Sequence, residues 1–172
     1  MDAKAREGLR IILMCIGLSI AYGIPHDQIS VRICPEYLTE WHEKLVNTDN
    51  PTLVALAFGV AATWWVGAAL GILMAMAAQL GPFPVVSSRR VLWVVVGVLV
   101  MTALSAAIGG FWATGHPTGH IPVSFAAEVP ADLQHRFGIC YWMHTCSYLG
   151  GAVFGFLATA GVWIHRFRLY RA

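Results

Sequence analysis

Long apolar segments without a formal charge are the feature that most constrains the fold of this chain. Segments 51–80, 91–114 and 137–164 contain no Asp, Glu, Lys or Arg, and His144 is the only histidine among them. A fourth apolar segment, 9–24, is shorter and carries Arg10, whose long side chain can reach a membrane interface. A helix needs about 20 apolar residues to cross the hydrocarbon core of a bilayer. The sequence therefore predicts four membrane-spanning helices.

The composition agrees with a membrane protein and argues against a nucleic-acid-binding one. Hydrophobic residues make up 58% of the 172 residues and charged residues only 12%, about half of what soluble domains carry. The formal net charge is +2, and the basic residues flank the apolar segments instead of forming one patch. We therefore expect a single all-α transmembrane domain, 1–172, with the lipid bilayer as its partner and no nucleic acid.

The basic residues also predict the orientation of the helices. Eight of the eleven Lys and Arg residues precede the first span, separate the second from the third, or follow the fourth: Lys4, Arg6, Arg10, Arg89, Arg90, Arg166, Arg168 and Arg171. Because basic loops stay on the cytoplasmic side, we expect an antiparallel four-helix bundle with both termini cytoplasmic. The basic and apolar start also fits a cleavable signal peptide, but we expect the first span to be retained.

Two loops, 25–50 and 115–136, are predicted to lie on the outer side. Pro25 is expected to end the first span with a turn. Pro35 suits the first turn of a helix, and four apolar residues follow at helical spacing: Tyr37, Leu38, Trp41 and Leu45. This pattern predicts a short amphipathic helix along the outer interface, with His42 pointing toward the bundle. Prolines and glycines argue against a continuous helix across His116 and His120.

Potential metal ligands are concentrated on the predicted outer side. Six of the seven histidines and seven of the nine acidic residues fall there, and four packed helices bring their ends close together. Imidazoles and carboxylates are ligands of Zn, Cu, Fe and Mn. His144 is the most informative, because an ionisable residue inside an apolar helix is expensive and indicates function. The main candidate ligands are His26, Asp27, Glu36 and His144, and the second-rank ones are His42, His116 and His120.

This candidate site permits several functions. The leading hypothesis is divalent-metal binding, with a metal-activated water that attacks a lipid or periplasmic substrate and Asp27 or Glu36 as proton acceptor. Ordinary polar packing and proton handling without a metal stay open. A b-type haem held by His144 with His26 or His120 is a further alternative. So is a non-catalytic accessory subunit, packed against other membrane subunits or a second copy of the chain through its glycine and tryptophan faces.

The four cysteines add one structural alternative. Cys15 lies inside the first span and is expected to be a packing residue. Cys140 and Cys146 are expected on different faces of one helix, too far apart to bridge. A disulfide between Cys34 and either of them would be allowed in an oxidising compartment. The absence of a CxxC motif argues against a thiol–disulfide enzyme.

Three blocks of sequence resemble an uncharacterised family of small four-span bacterial membrane proteins. They are YGIPHDQISVRICPEYLT at 22–39, DNPTLVALAFGVAATWWVGAALG at 49–71 and, more loosely, MHTCSYLGGAVFG at 143–155. The resemblance implies a protein of the bacterial inner membrane but no activity. The residues that match the pattern of the family are His26, Asp27, Gln28, Arg32, Glu36, Tyr37, Trp64, Trp65, His144, Ser147 and Tyr148. His116, His120 and His135 fall outside this pattern.

Overall fold

The computed structural model describes residues 2–116 and 121–171, without the side chains of residues 123 and 125. Throughout this part of the chain, all regular secondary structure is helical. The helices are α1 (Ala3–Ile33), α2 (Pro35–Thr39), α3 (Pro51–Ala61), α4 (Trp64–Gln79), α5 (Ser88–Thr114), α6 (Val123–Ala126) and α7 (Gln134–Arg171).

Four stretches within the described residues are long and apolar enough to cross a membrane: α1, α3 together with α4, α5, and α7. The prediction of an all-helical protein with four candidate spans is thereby confirmed. The observed helix ends depart from the predicted ends more than the number of spans does. α5 ends at Thr114 as predicted, whereas α7 extends beyond both ends of segment 137–164. Hydropathy marks only the part of a helix suited to hydrocarbon, so it underestimates a helix that continues past that layer.

The first helix is the clearest correction to the sequence prediction. The expected turn at Pro25 is wrong, because α1 continues through Pro25 to Ile33. A proline inside a helix loses one backbone hydrogen bond and crowds the carbonyl four residues earlier. The residues after it contact distant parts of the protein, since Val31 packs in a buried apolar cluster and Asp27 lies within hydrogen-bond distance of His144 on α7. A second proline ends the helix instead: Cys34, which precedes Pro35, has an extended conformation with φ −145° and ψ 92°.

The amphipathic helix after Pro35 is shorter than its pattern predicts. α2 ends at Thr39, and its Tyr37 and Leu38 are buried as the apolar stripe indicates. The Nδ1 of His42 lies 2.7 Å from the carbonyl oxygen of Tyr37 and donates to it. A further helical turn would use that carbonyl to accept from the N–H four residues on. The histidine side chain therefore takes the place of a backbone donor at the end of α2.

Glycines let α1 approach the second span closely. A Cβ added to Gly59 would lie 2.6 Å from the Cα of Ile24, and one added to Gly67 would lie 2.7 Å from the carbonyl oxygen of Cys15. Both distances are far below van der Waals contact, so the two backbones touch at these points. Small residues permit the same close approach between membrane helices.

A break at Ala62 and Thr63 divides the second span into α3 and α4. The hydroxyl of Thr63 donates to the carbonyl oxygen of Gly59, one turn earlier. Threonine hydroxyls that bond backbone carbonyls in this way bend helices. The sequence does not predict this break, because hydropathy runs through it without interruption.

Arg166 joins the last helix to the loop between α4 and α5. Its side chain is 0% exposed, and its guanidinium donates to four backbone carbonyl oxygens: those of Ala77, Leu80, Phe83 and Pro84. The last three distances are 2.9, 3.1 and 2.7 Å respectively. The same region contains a 2.6 Å hydrogen bond from the N–H of Ser88 to the carboxylate of Glu7. Charged groups thus pair with backbone where helix ends are left without intrahelical partners.

We expect the substitution Arg166→Met to reduce the free energy of unfolding by about 3 kcal/mol, because several buried carbonyls would lose their donors. Melting of the detergent-purified protein measures the effect. Arg168→Met is the matched control, since Arg168 is exposed on the same helix. Equal melting temperatures for the two variants would contradict this role of Arg166.

Candidate metal centre

Three of the predicted ligands meet between α1 and α7. His26 and Asp27 lie on α1, just beyond Pro25, and His144 lies on α7. Each of the three offers one ligand atom, and these atoms all lie within 4.8 Å of one another. Asp27 is only 4% exposed. The continuation of α1 past Pro25 is what carries His26 and Asp27 to this position.

Hydrogen bonds fix the orientation of the His144 ring. Its Nδ1 lies 2.8 Å from the carbonyl oxygen of Cys140, one turn earlier, and its Nε2 lies 3.1 Å from Oδ1 of Asp27. A carbonyl oxygen only accepts, so Nδ1 carries a proton. At 3.1 Å, Nε2 and the carboxylate of Asp27 are close enough to share a proton or to bind the same cation.

His26 completes the cluster, and one of its ring nitrogens has no hydrogen-bond partner among the described residues. Its ring packs edge-on against that of His144, with centroids 4.6 Å apart. Its Nδ1 is 3.4 Å from the hydroxyl of Tyr22, which in turn lies 2.8 Å from the hydroxyl of Ser147. Its Nε2 is buried without a hydrogen-bond partner among the described residues. Such an atom is costly to bury unless a ligand satisfies it.

Tyr37 on α2 covers the cluster. Its ring packs against His144 with centroids 4.9 Å apart and against Phe137 at 5.1 Å. Burial raises the pKa of the Tyr37 phenol well above its ordinary value. The hydroxyl is therefore neutral at physiological pH, and the cover adds no negative charge to the site.

The other predicted ligands lie elsewhere. Glu36 is not in the cluster, because its carboxylate lies 4.0 Å from the guanidinium of Arg136 and accepts from the thiol of Cys34 at 3.4 Å. His42 bonds the Tyr37 carbonyl and contacts the cluster only through the Tyr37 ring, at 5.1 Å between centroids. His116 stacks on Trp112, with centroids 4.3 Å apart, and is exposed. His120 lies outside the described residues.

Three polar residues of the site were not predicted as part of it: Tyr22, Ser147 and Tyr148. Helical spacing is the signal that could have found them. Tyr22 is one turn before His26, and the other two are one turn after His144, so each shares a face with a cluster histidine.

The cysteines are all free thiols, so the structure does not contain the alternative disulfide of Cys34 with Cys140 or Cys146. The Cys34 thiol donates to Glu36, and the Cys140 thiol lies 3.5 Å from the Ser30 carbonyl oxygen, to which it donates. Burial raises the pKa of Cys34 to about 11. The thiol form therefore dominates at neutral pH, and Cys34 is a poor nucleophile.

A cavity of about 480 Å³ adjoins the cluster, between α1, α4, α5 and α7. One end is lined by polar side chains: Tyr22, His26, Asp27, His144, Ser147 and Tyr148. The rest is lined mostly by apolar side chains, among them Leu70, Leu73, Val98, Leu99 and Phe156. The cluster therefore lies at the polar end of an apolar cavity.

Comparison with protein-family models, curated proteins and solved structures gives no match for this chain. The resemblance carried by the three sequence blocks accordingly stays a prediction.

The hydrogen bond between Tyr22 and Ser147 is testable by a double-mutant cycle. We expect Tyr22→Phe and Ser147→Ala to destabilise the protein less together than the sum of their separate effects, with a coupling energy of about 1 kcal/mol. Equilibrium unfolding in mixed micelles measures each variant. The pair Tyr22→Phe with Thr159→Ala is the control, because the Thr159 hydroxyl donates to the Gly155 carbonyl on the same helix. Strict additivity for Tyr22 and Ser147 would contradict a direct bond.

Proposed function

We propose that the protein binds one divalent transition-metal ion through Nε2 of His26, the carboxylate of Asp27 and Nε2 of His144. The observation that supports this most directly is the convergence of three ligand atoms within 4.8 Å. One of them, Nε2 of His26, has no hydrogen-bond partner among the described residues. Two imidazoles and a carboxylate are a common ligand set for Zn, Cu, Fe and Mn.

The hydrogen bonds around His144 support the same proposal. Metal-binding histidines usually donate their second ring N–H to a carbonyl or carboxylate, which orients the ring. The bond from Nδ1 of His144 to the Cys140 carbonyl, at 2.8 Å, has this form. It leaves Nε2 directed at Asp27 and available to a cation that displaces a proton shared with Asp27.

The haem alternative is less well supported. Axial imidazoles bind a haem iron from opposite faces of the porphyrin. The rings of His26 and His144 have centroids only 4.6 Å apart and meet edge to face. This arrangement leaves no room for a porphyrin between them and instead suits two ligands on one side of a small ion.

Three protein ligands leave at least one coordination position open, as in catalytic zinc sites. The proposed chemistry is hydrolysis by a metal-activated water, because a bound divalent cation lowers the pKa of water toward neutrality. The proposed proton acceptor is the carboxylate oxygen of Asp27 that does not bind the ion. Glu36 is less suitable than the sequence suggests, since its carboxylate pairs with Arg136.

The proposed setting is a bacterial inner membrane. The four candidate spans would form an antiparallel bundle with both termini cytoplasmic, as the distribution of basic residues predicts. The metal centre would then face the periplasm or exterior, with α2 along that interface. A reporter fused to the C-terminus and a glycosylation or cysteine-labelling site in the 40–49 loop would test this orientation separately from metal binding.

Elemental analysis tests the metal proposal. Protein purified without a polyhistidine tag should contain or take up about one Zn²⁺ or Co²⁺ per chain, and His26→Ala or His144→Ala should weaken binding by on the order of 100-fold or more. Co²⁺ provides an optical signal for the titration. His116→Ala is the control, because it removes an exposed histidine outside the cluster. Equal metal binding by all three variants, or by none including the wild type, would overturn the proposal.

Metal binding should also release a proton. We propose that Nε2 of His144 and Asp27 share one proton before the ion binds, so about one H⁺ should leave per ion bound. A pH indicator in weakly buffered detergent solution measures it. Asp27→Asn removes the carboxylate that holds this proton, so any metal that this variant still binds should release fewer protons. Uptake of metal without proton release by the wild type would contradict the shared proton.

A further inference from the structure

The cavity beside the cluster opens sideways, toward the surface that the apolar helices present to lipid. Two of its lining residues, Trp65 on α4 and Phe156 on α7, are 54% and 70% exposed. Tyr148, near the cluster, is also about half exposed. The mouth therefore lies between α4 and α7, along the helices rather than at their ends. A molecule that reaches this cavity through its mouth comes from the hydrocarbon layer of a bilayer.

The cavity is long and chemically divided. Its lining on α7 runs from His144 to Phe156, a length of about 18 Å at 1.5 Å per residue. The volume of about 480 Å³ is within the range of sites that enclose one small ligand, roughly 300–1,000 Å³. A ligand that fills both parts must have one polar end and one apolar chain.

The lining also restricts the head of that ligand. Among the described residues that line the cavity there is no Lys or Arg, so a headgroup phosphate would lack the cation that usually pairs with it. The lining offers the hydroxyls of Tyr22, Ser147 and Tyr148 and the carboxylate of Asp27 instead. These groups suit a neutral head with a hydroxyl, which can donate to a carboxylate and accept from a side-chain hydroxyl.

We propose that the cavity binds a single-chain, neutral membrane amphiphile with a hydroxyl head, a long-chain alcohol in chemical class. Its chain lies between α4, α5 and α7, and its oxygen lies at the His26–Asp27–His144 cluster. This inference deepens the proposed function, on which it rests for the role of the metal as a partner of the hydroxyl. The proposed position of the hydrocarbon chain rests on the shape and lining of the cavity and not on the metal.

The polar head of the ligand, and not its chain, should determine whether the ligand prefers the cavity to the bilayer. A chain that moves from lipid into an apolar cavity exchanges one hydrocarbon environment for another, so it gains little from hydrophobic burial. Hydrogen bonds or metal ligation at the polar end supply the preference for the cavity over the bilayer. An alkane of the same length should therefore show no preference for the cavity.

Photolabelling in lipid nanodiscs tests this inference. The probe is a long-chain alcohol with a diazirine near its methyl end, and mass spectrometry locates the labelled residues. We expect labels on cavity residues such as Leu73, Val98 and Phe156, with yields at least about fivefold above those at lipid-facing Trp93 and Phe111, a preference worth about 1 kcal/mol. The corresponding diazirine alkane should label these two sets equally.

Matched variants locate the effect. Ala152→Phe places a ring in the cavity lining and should reduce cavity labelling at least fivefold, whereas Ala107→Phe adds the same ring at an exposed α5 position outside the lining and should leave it unchanged. Ala69→Phe fills the cavity from α4 and serves if Ala152→Phe fails to fold. Equal labelling of cavity and lipid-facing residues by the alcohol, or cavity labelling that survives both fillings, would overturn the inference.

The same experiment separates this inference from the metal proposal. Labelling is repeated on protein stripped with a chelator and on His144→Ala. Selective cavity labelling by wild-type protein that takes up no metal in the elemental analysis would overturn the metal centre and retain the amphiphile site. Stoichiometric metal with unselective labelling would overturn the amphiphile site and retain the metal centre.

Discussion

Polar groups inside apolar helices must be satisfied by partners within the protein, and this requirement organises both ends of the structure. An unpaired polar atom in a hydrocarbon-like environment costs several kcal/mol. At one end, Arg166 satisfies four backbone carbonyls. At the other, His144 is bonded through both ring nitrogens. Among the described residues, Nε2 of His26 lacks such a partner, and for that reason it favours a bound ligand more than any other atom of the cluster does.

Close backbone contact between α1 and the second span helps to position the cluster of His26, Asp27 and His144. Because Gly59 and Gly67 have no side chains, α1 lies directly against the second span. The close packing there, and the burial of Val31 in an apolar cluster, offset the hydrogen bond lost at Pro25. The extended α1 then presents His26 and Asp27 to α7. Helix packing at Gly59 and Gly67 thus helps to determine which side chains meet between α1 and α7.

The sequence predicts the helical class and the four candidate spans because burial in hydrocarbon imposes a strong and local pattern. It also predicts that His26, Asp27 and His144 belong together, since topology brings these helix positions to one end. It does not predict that α1 continues past Pro25, because the compensation comes from residues distant in sequence. For the same reason it does not predict that Glu36 turns toward Arg136, or that a break at Thr63 divides the second span. Local pattern determines which helices form, and tertiary contact determines where each one ends.

The walls of the cavity come from two differently packed pairs of helices. α1 packs mainly along α4, and α5 packs mainly along α7, so the width of the cavity is the gap between the pairs and not a property of either one. A change in the spacing of the two pairs would therefore change the volume of the cavity, and the lateral pressure of a surrounding bilayer is one force that would act on that spacing. Bilayer thickness and chain order would then affect the occupancy of the cavity, as substrate concentration affects the occupancy of a site open to water.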